Sequence, residues 1–254
     1  MSRGGWLRDA APVALAAVVF LAGWQLIVLA GSYRPFVLPG PVVVGQRLVS
    51  AWADGTMEPH AAATLVEVLL GFGIGSGLAL VAGYVLARSR LAERLLSPYL
   101  VAAQATPILA LAPLIALWFG DGLISKVIIC MLIVFFPVAV ATMVGIRSVD
   151  RQLLEMGRAF RATRMQVLTG LEIPGALPSI FGGLRVGATL SVIGAVIAEW
   201  AGAGQGLGYL INLARGSLFD TPLLFATLVS IAGFGVAFYV VVVLVERRLV
   251  GARG

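Results

Sequence analysis

Charge is scarce in this chain: Lys, Arg, Asp and Glu together make up 12% of its 254 residues. Cysteine, lysine and histidine occur once each, as Cys130, Lys126 and His60. A lone cysteine excludes an intrachain disulfide, so compartment has to be read from topology. No G-x-x-x-x-G-K-[ST] stretch occurs, and the single lysine falls near the outer surface by the topology below, which excludes a phosphate-cradling loop. The glycine-rich runs do not match G-x-G-x-x-G after a strand, which excludes a dinucleotide site. No cluster of His, Cys and carboxylates has metal-ligand spacing, and His60 reads as a surface or interfacial residue of a connection. The same poverty leaves no catalytic constellation.

Apolar side chains are what the chain has in excess. They make up 60% of it, against roughly 45–50% in an ordinary soluble domain. An all-α, polytopic membrane protein follows, because a soluble core of this length could not hide so much hydrocarbon. Windows of about 20 residues with little charge predict six spans near Ala10–Ala30, Thr64–Ala87, Pro98–Phe119, Leu123–Ile146, Ser179–Trp200 and Pro222–Val245. The first is a retained anchor and not a cleaved leader, since it is long and lacks a small-residue cleavage site. Residues 1–60 then form an N-terminal anchor with an outer amphipathic connection, and residues 61–250 the core domain. Gly120-Asp121-Gly122 makes the third and fourth spans an antiparallel pair.

Orientation follows from Lys and Arg. With the N-terminus in the cytoplasm, Arg3, Arg8, Arg88, Arg90, Arg94, Arg147, Arg151, Arg158, Arg161, Arg164, Arg185, Arg247, Arg248 and Arg253 fall inside. Only Arg34, Arg47, Lys126 and Arg215 fall outside, a division of 14 to 4 that accounts for all 18 basic residues. Both termini are therefore expected in the cytoplasm, with Arg185 snorkelling to that interface. The net charge of +6 is positive-inside bias, and no nucleic-acid role is needed. Outside, Val42 to Ala53 reads as a short surface helix turning Val43, Leu48 and Trp52 to lipid or bundle. Glycines at 71, 73, 75, 77, 183 and 187 would let helices approach closely.

One polar island interrupts this pattern, Arg147 to Pro178, on the cytoplasmic side. Treated as helical from Leu153 to Leu168, it puts Leu153, Met156, Phe160, Thr163 and Val167 on one stripe and Arg151, Glu155, Arg158 and Ala162 on the other. Ile173-Pro174 is expected to stop that helix and Gly175 to Pro178 to turn the chain back into the membrane.

From Glu155 to Pro174 this island resembles the EAA loop of permease subunits in binding-protein-dependent ABC importers. Met156 and Gly157 replace the two alanines, Arg161 stands at the glycine position, Ala162 follows it, and Leu171-Glu172-Ile173-Pro174 closes the pattern. The likeness extends over about residues 38–250. Leu38-Pro39-Gly40-Pro41, Ala110-Leu111-Ala112-Pro113-Leu114 with Trp118-Phe119-Gly120, and Leu177-Pro178-Ser179-Ile180-Phe181-Gly182-Gly183-Leu184-Arg185 look like the nitrate/sulfonate/taurine branch. Ala198-Glu199-Trp200 with Gly206-Leu207-Gly208-Tyr209-Leu210 is similar to members serving thiamine-pyrimidine precursors or riboflavin.

This resemblance implies the type I importer permease fold, with six transmembrane helices and a cytoplasmic coupling helix, in a bacterial inner membrane. It implies a non-catalytic subunit, paired with a second permease copy as a homodimer. An ATPase chain would carry ATP and Mg, and an extracytoplasmic solute-binding protein would deliver substrate. Glu155, Arg158, Ala159, Arg161, Ala162 and Pro174 are then the ATPase-coupling positions.

Polar groups at membrane depth are the pathway positions: Gln104, Glu67 and Glu199. Glu67 and Glu199 lie near the outer ends of their spans, where an interfacial structural role competes. Gln104 precedes Pro107, where a helix irregularity would bare carbonyls to a cavity. No basic residue lies mid-span, which points to a neutral or weakly charged heterocycle over nitrate or a sulfonate. A secondary transporter would need ion-coupling charges and internal repeats, neither of which occurs, and a membrane scaffold subunit is the other alternative.

Overall fold

The computed structural model describes residues 3–202 and 204–251, with side chains from residue 12 onward. Of the residues named above, Arg253 lies outside the described residues, as do the side chains of Arg3, Arg8 and Ala10. All described secondary structure is helical. Among the described residues, five helices are long and apolar enough to cross a membrane, within α1 (Arg3–Ala30), α3 (Glu58–Arg88), α6 (Leu123–Arg147), the stretch Arg164–Ala201, and α11 (Thr221–Val250), which follows the short α10 (Leu207–Gly216).

The sixth span is broken. Where one helix is expected over Pro98–Phe119, α4 (Arg90–Ala105) and α5 (Ile108–Phe119) meet at an angle of 96°. Pro107 is the cause: it offers no N–H, and its ring drives Thr106 into extended backbone, at φ −74° and ψ 124°.

By its contacts the chain divides into two compact units, Met1–Glu58 with Leu210–Ser230 and Pro59–Tyr209 with Ile231–Gly254. In the first, α2 (Pro41–Ala53) starts with proline at its first turn, where no donor is lost. Val44 and Ala51 are buried and Leu48 is half-buried, while Val43 and Trp52 are exposed. Arg47 Nε donates to Asp220 Oδ2 at 2.8 Å, and Asp220 Oδ1 accepts from the Leu223 N–H at 2.9 Å, capping α11.

In the second unit α6 runs between α3 and the helix α9 (Ile173–Ala201). Val134 and Val138 are fully buried with Ala79 and Ala139, and Cys130 with Val68, Val192 and Ala195. Glycine makes the approach possible: a Cβ at Gly83 would stand 2.5 Å from the Ala139 carbonyl oxygen, and one at Gly71 would collide with Cys130. Arg185 pairs with Glu246 of α11 at 3.0 Å.

Ile173-Pro174, expected to end a helix, lies where one continues. A π-helical turn, Leu168–Glu172, joins α8 (Arg164–Val167) to α9 without a gap, and the widened turn just before Pro174 accommodates the N–H that proline lacks. The expected span from Ser179 therefore extends back to Arg164 as one rod.

Candidate functional site

The polar island folds as two helices and not as the single helix expected over Leu153–Leu168. Asp150 Oδ1 accepts from the Gln152 N–H at 2.8 Å and starts α7 (Arg151–Ala159). The helix ends where the Ala162 N–H donates back to the Gly157 carbonyl and the Arg161 N–H to the Arg158 carbonyl, each at 2.9 Å. Those two bonds are a Schellman motif, and its left-handed position is taken by Arg161 at φ +55°. Thr163 and Gln166 then form a reciprocal capping box that opens α8.

An L-residue with a Cβ pays of order 1 kcal/mol for the left-handed region, and glycine does not. Arg161→Gly is therefore expected to raise the thermal midpoint of the purified protein in detergent, by a local stabilisation of about 1 kcal/mol. An unchanged or lowered midpoint would count against strain at this position.

Gly157 seats α7. A Cβ there would lie 3.1 Å from Leu171 Cδ1 and within contact of Val167. Seating this face turns the apolar stripe outward: Leu153 and Met156 are exposed, Phe160 is 79% exposed, and Met165 on α8 is 66% exposed. Glu155, Arg158, Ala159 and Arg161 lie on the exposed surface, while Ala162 and Pro174 are half-buried. Glu155, Arg158 and Ala159 thus share α7 with an apolar patch, Arg161 and Ala162 follow at its end, and Pro174 lies apart in α9.

At the α4–α5 break lies a cleft of about 930 Å³. Gln104, Thr106 and Pro107 line it from the break, Phe136 and Pro137 from α6, and Ser179 from α9; none of the described residues lining it is charged. Thr106 donates its hydroxyl to the Ala102 carbonyl at 3.0 Å, and Ser179 to the Ala141 carbonyl at 2.9 Å. Both hydroxyl protons are engaged, so these groups offer acceptors to a ligand.

Glu67 and Glu199 do not line this cleft. They meet each other in a buried cluster at the other ends of α3 and α9. Glu199 accepts from Thr64 Oγ1 at 2.5 Å and from the Gly208 N–H at 2.6 Å. The Leu207 N–H donates to Thr64 Oγ1 at 2.9 Å, and the Gly206 N–H to His60 Nδ1 at 3.1 Å. Lys126 Nζ stands 2.9 Å from Glu67 Oε1, with the lysine 7% and the glutamate 2% exposed. The backbone at Gly206 to Gly208 is thus fastened to α3 and α9. Gly206 has φ +118°, and a Cβ there would collide with the Glu199 carboxyl.

A sequence profile of the binding-protein-dependent transport system inner membrane components matches residues 75–251. The chain belongs to that family. It is an ABC importer permease subunit and a multi-pass membrane protein. The permease is 44% identical to the riboflavin transport system permease protein RibX of Chloroflexus aurantiacus, over 98% of this chain and 92% of that one. It is 34% identical to the formylaminopyrimidine transport permease protein ThiX of Halalkalibacterium halodurans, over 85% and 86%. To the putative aliphatic sulfonates transport permease protein SsuC of Bacillus subtilis it is again 34% identical, over 97% and 88%. Among solved structures, an inward-facing form of the MetNI methionine ABC transporter matches in fold with a TM-score of 0.63 at 20% identity. That match covers 75% of the permease and 92% of the compared chain.

Sequence reasoning named the two glutamates of the permease's buried cluster but missed His60, Thr64 and Lys126 as their companions. The partners lie 135 residues apart for Thr64 and Glu199 and 146 for His60 and Gly206. One signal was available: a sole lysine entering a span needs a counter-charge at the same depth.

Proposed function

We propose that this permease moves a small, uncharged heterocycle of the riboflavin or thiamine-precursor kind, driven by ATP hydrolysed on a partner chain. The cleft carries the substrate reading. It is large enough for such a ligand, its lining is free of charge, and it offers acceptors from Thr106 and Ser179 with Gln104 beside them. An anionic sulfonate would require a cation along this lining. The relative at 44% identity, named for riboflavin, agrees. Family membership favours this reading over a secondary transporter or a scaffold.

The α7–α8 segment is the docking surface for the ATPase, which binds ATP and Mg. Glu155, Arg158 and Ala159 make the contacts, with Arg161 and Ala162 shaping the end of the helix and Pro174 the start of α9. Docking covers Leu153, Met156 and Phe160, which otherwise leave an apolar patch in water. This end and both termini face the cytoplasm of a bacterial cell, in keeping with the arginine distribution. A second copy of the chain completes the pathway, and a solute-binding protein delivers substrate at the opposite side. Gln104 contacts the substrate; Glu67 and Glu199 border the route at its outer end, where they hold the loop.

Proteoliposomes carrying the permease with its ATPase and solute-binding partners are expected to accumulate radiolabelled riboflavin when ATP is supplied and to leave taurine outside. Preferential uptake of taurine would contradict the reading of the cleft.

A further inference from the structure

Both flanks of the α7–α8 segment are tied to one place, the junction of α3 and α4. On the leading flank, Arg147 ends α6 three residues before the cap of α7. Its guanidinium holds Glu93 of α4 in a two-pronged bond, Nη1 and Nη2 each at 2.7 Å from a different carboxylate oxygen. The same guanidinium donates to the Leu86 carbonyl, at the end of α3, at 2.8 Å. On the trailing flank, Glu172 closes the π-helical turn and reaches Arg88, the last residue of α3, at 3.0 Å. Glu172 is 1% exposed, and its second oxygen has no partner.

Planar two-pronged pairing fixes direction as well as distance, unlike a loose surface ion pair. Ser89 accepts from the Ala92 N–H at 3.1 Å, so α4 begins directly at that junction. From there α4 runs without a break to Ala105, and its last turn carries Ala103 and Gln104 into the cleft.

We propose that Arg147 and Glu93, with Arg88 and Glu172, form a yoke. It carries displacement of the docking segment to α4 and so to the wall of the cleft. These are positioning residues: none lines the cleft, and each acts through the rod it grips. The proposal rests on the docking reading above and adds the route by which docking reaches the substrate. Coupling needs an element with two arrangements that both sites bias, and the α4–α5 elbow, hinged at Pro107, is that element here.

The test uses the assembled complex. Cys130 is fully buried, so a cysteine placed at Ala103, in the cleft wall, is the group that a maleimide reaches. In the Ala103→Cys background, ATP with vanadate is expected to change the labelling rate at this position. Glu93→Arg, on a residue one-third exposed, is expected to leave ATPase association and ATP hydrolysis in place while shrinking that change at least about fivefold. Combining it with Arg147→Glu restores the pair with reversed polarity, and most of the response should return.

Glu93→Ala, which introduces no new charge, should show the same loss, so a Glu93→Arg chain that fails to insert does not end the test. A full response in Glu93→Ala, or no recovery in the charge-swapped pair, would overturn the yoke. Failure of docking itself is separable, because it would show as loss of the ATPase from the complex.

Discussion

Ala159→Glu is expected to abolish ATP-driven uptake, by at least about tenfold, while the permease still inserts and folds. The residue is exposed near the end of α7, beside Arg158 and the apolar patch of Leu153, Met156 and Phe160. Its exposure leaves a longer side chain open space to enter, so stability has no reason to fall. A glutamate brought against a partner's groove would instead bury an unpaired charge, a cost of several kcal/mol that few transient interfaces withstand. Uptake assayed in proteoliposomes beside ATP hydrolysis of the same preparation reads the effect. Uptake at the unmodified rate would show that α7 does not contact the ATPase.

Lys126→Met is expected to destabilise the protein by roughly 3–5 kcal/mol, because it leaves the Glu67 carboxylate buried without its counter-charge. Glu67 is 2% exposed and Lys126 supplies its ion pair at 2.9 Å. The companion is the double variant Lys126→Met with Glu67→Leu, which replaces the pair by apolar groups of similar volume. Such replacement is close to neutral where only the pair itself is at stake, so most of the lost stability should return. Thermal unfolding in detergent separates the two cases. A double variant as unstable as the single would mean that Lys126 acts through the neighbouring Gln205 carbonyl, 3.5 Å away, and not through Glu67.

The spans were legible because hydropathy reports them one at a time, without regard to packing. Where one of them breaks was half legible: Pro107 announces lost hydrogen bonds, but the 96° bend depends on what α6 and α9 allow beside it. The docking segment shows a different limit. Arg161 occupies a backbone region that residue type alone argues against, so periodicity ran the helix on to Leu168. What decided the matter was a pair of backbone bonds to Gly157 and Arg158, which the sequence does not display.

Ile173-Pro174 misled for a similar reason, since proline marks the end of one helix or the start of the next with equal force. The continuous π-helical turn before it carries the helix through instead. Of the expected apolar stripe, Leu153, Met156 and Phe160 stay together on and just after α7, while Thr163 caps α8 and Val167 lies within it. Gly157, tucked against Leu171, turned the first three outward.

The claim that ATP energy enters through α7 is tested most directly by a photo-reactive amino acid placed at Ala159 and irradiated in membranes holding the whole transporter. A cross-link to the ATPase subunit is expected, lost when the ATPase is stripped from the membrane. Cross-linking to lipid alone, or to the solute-binding protein, would place this segment elsewhere and contradict it.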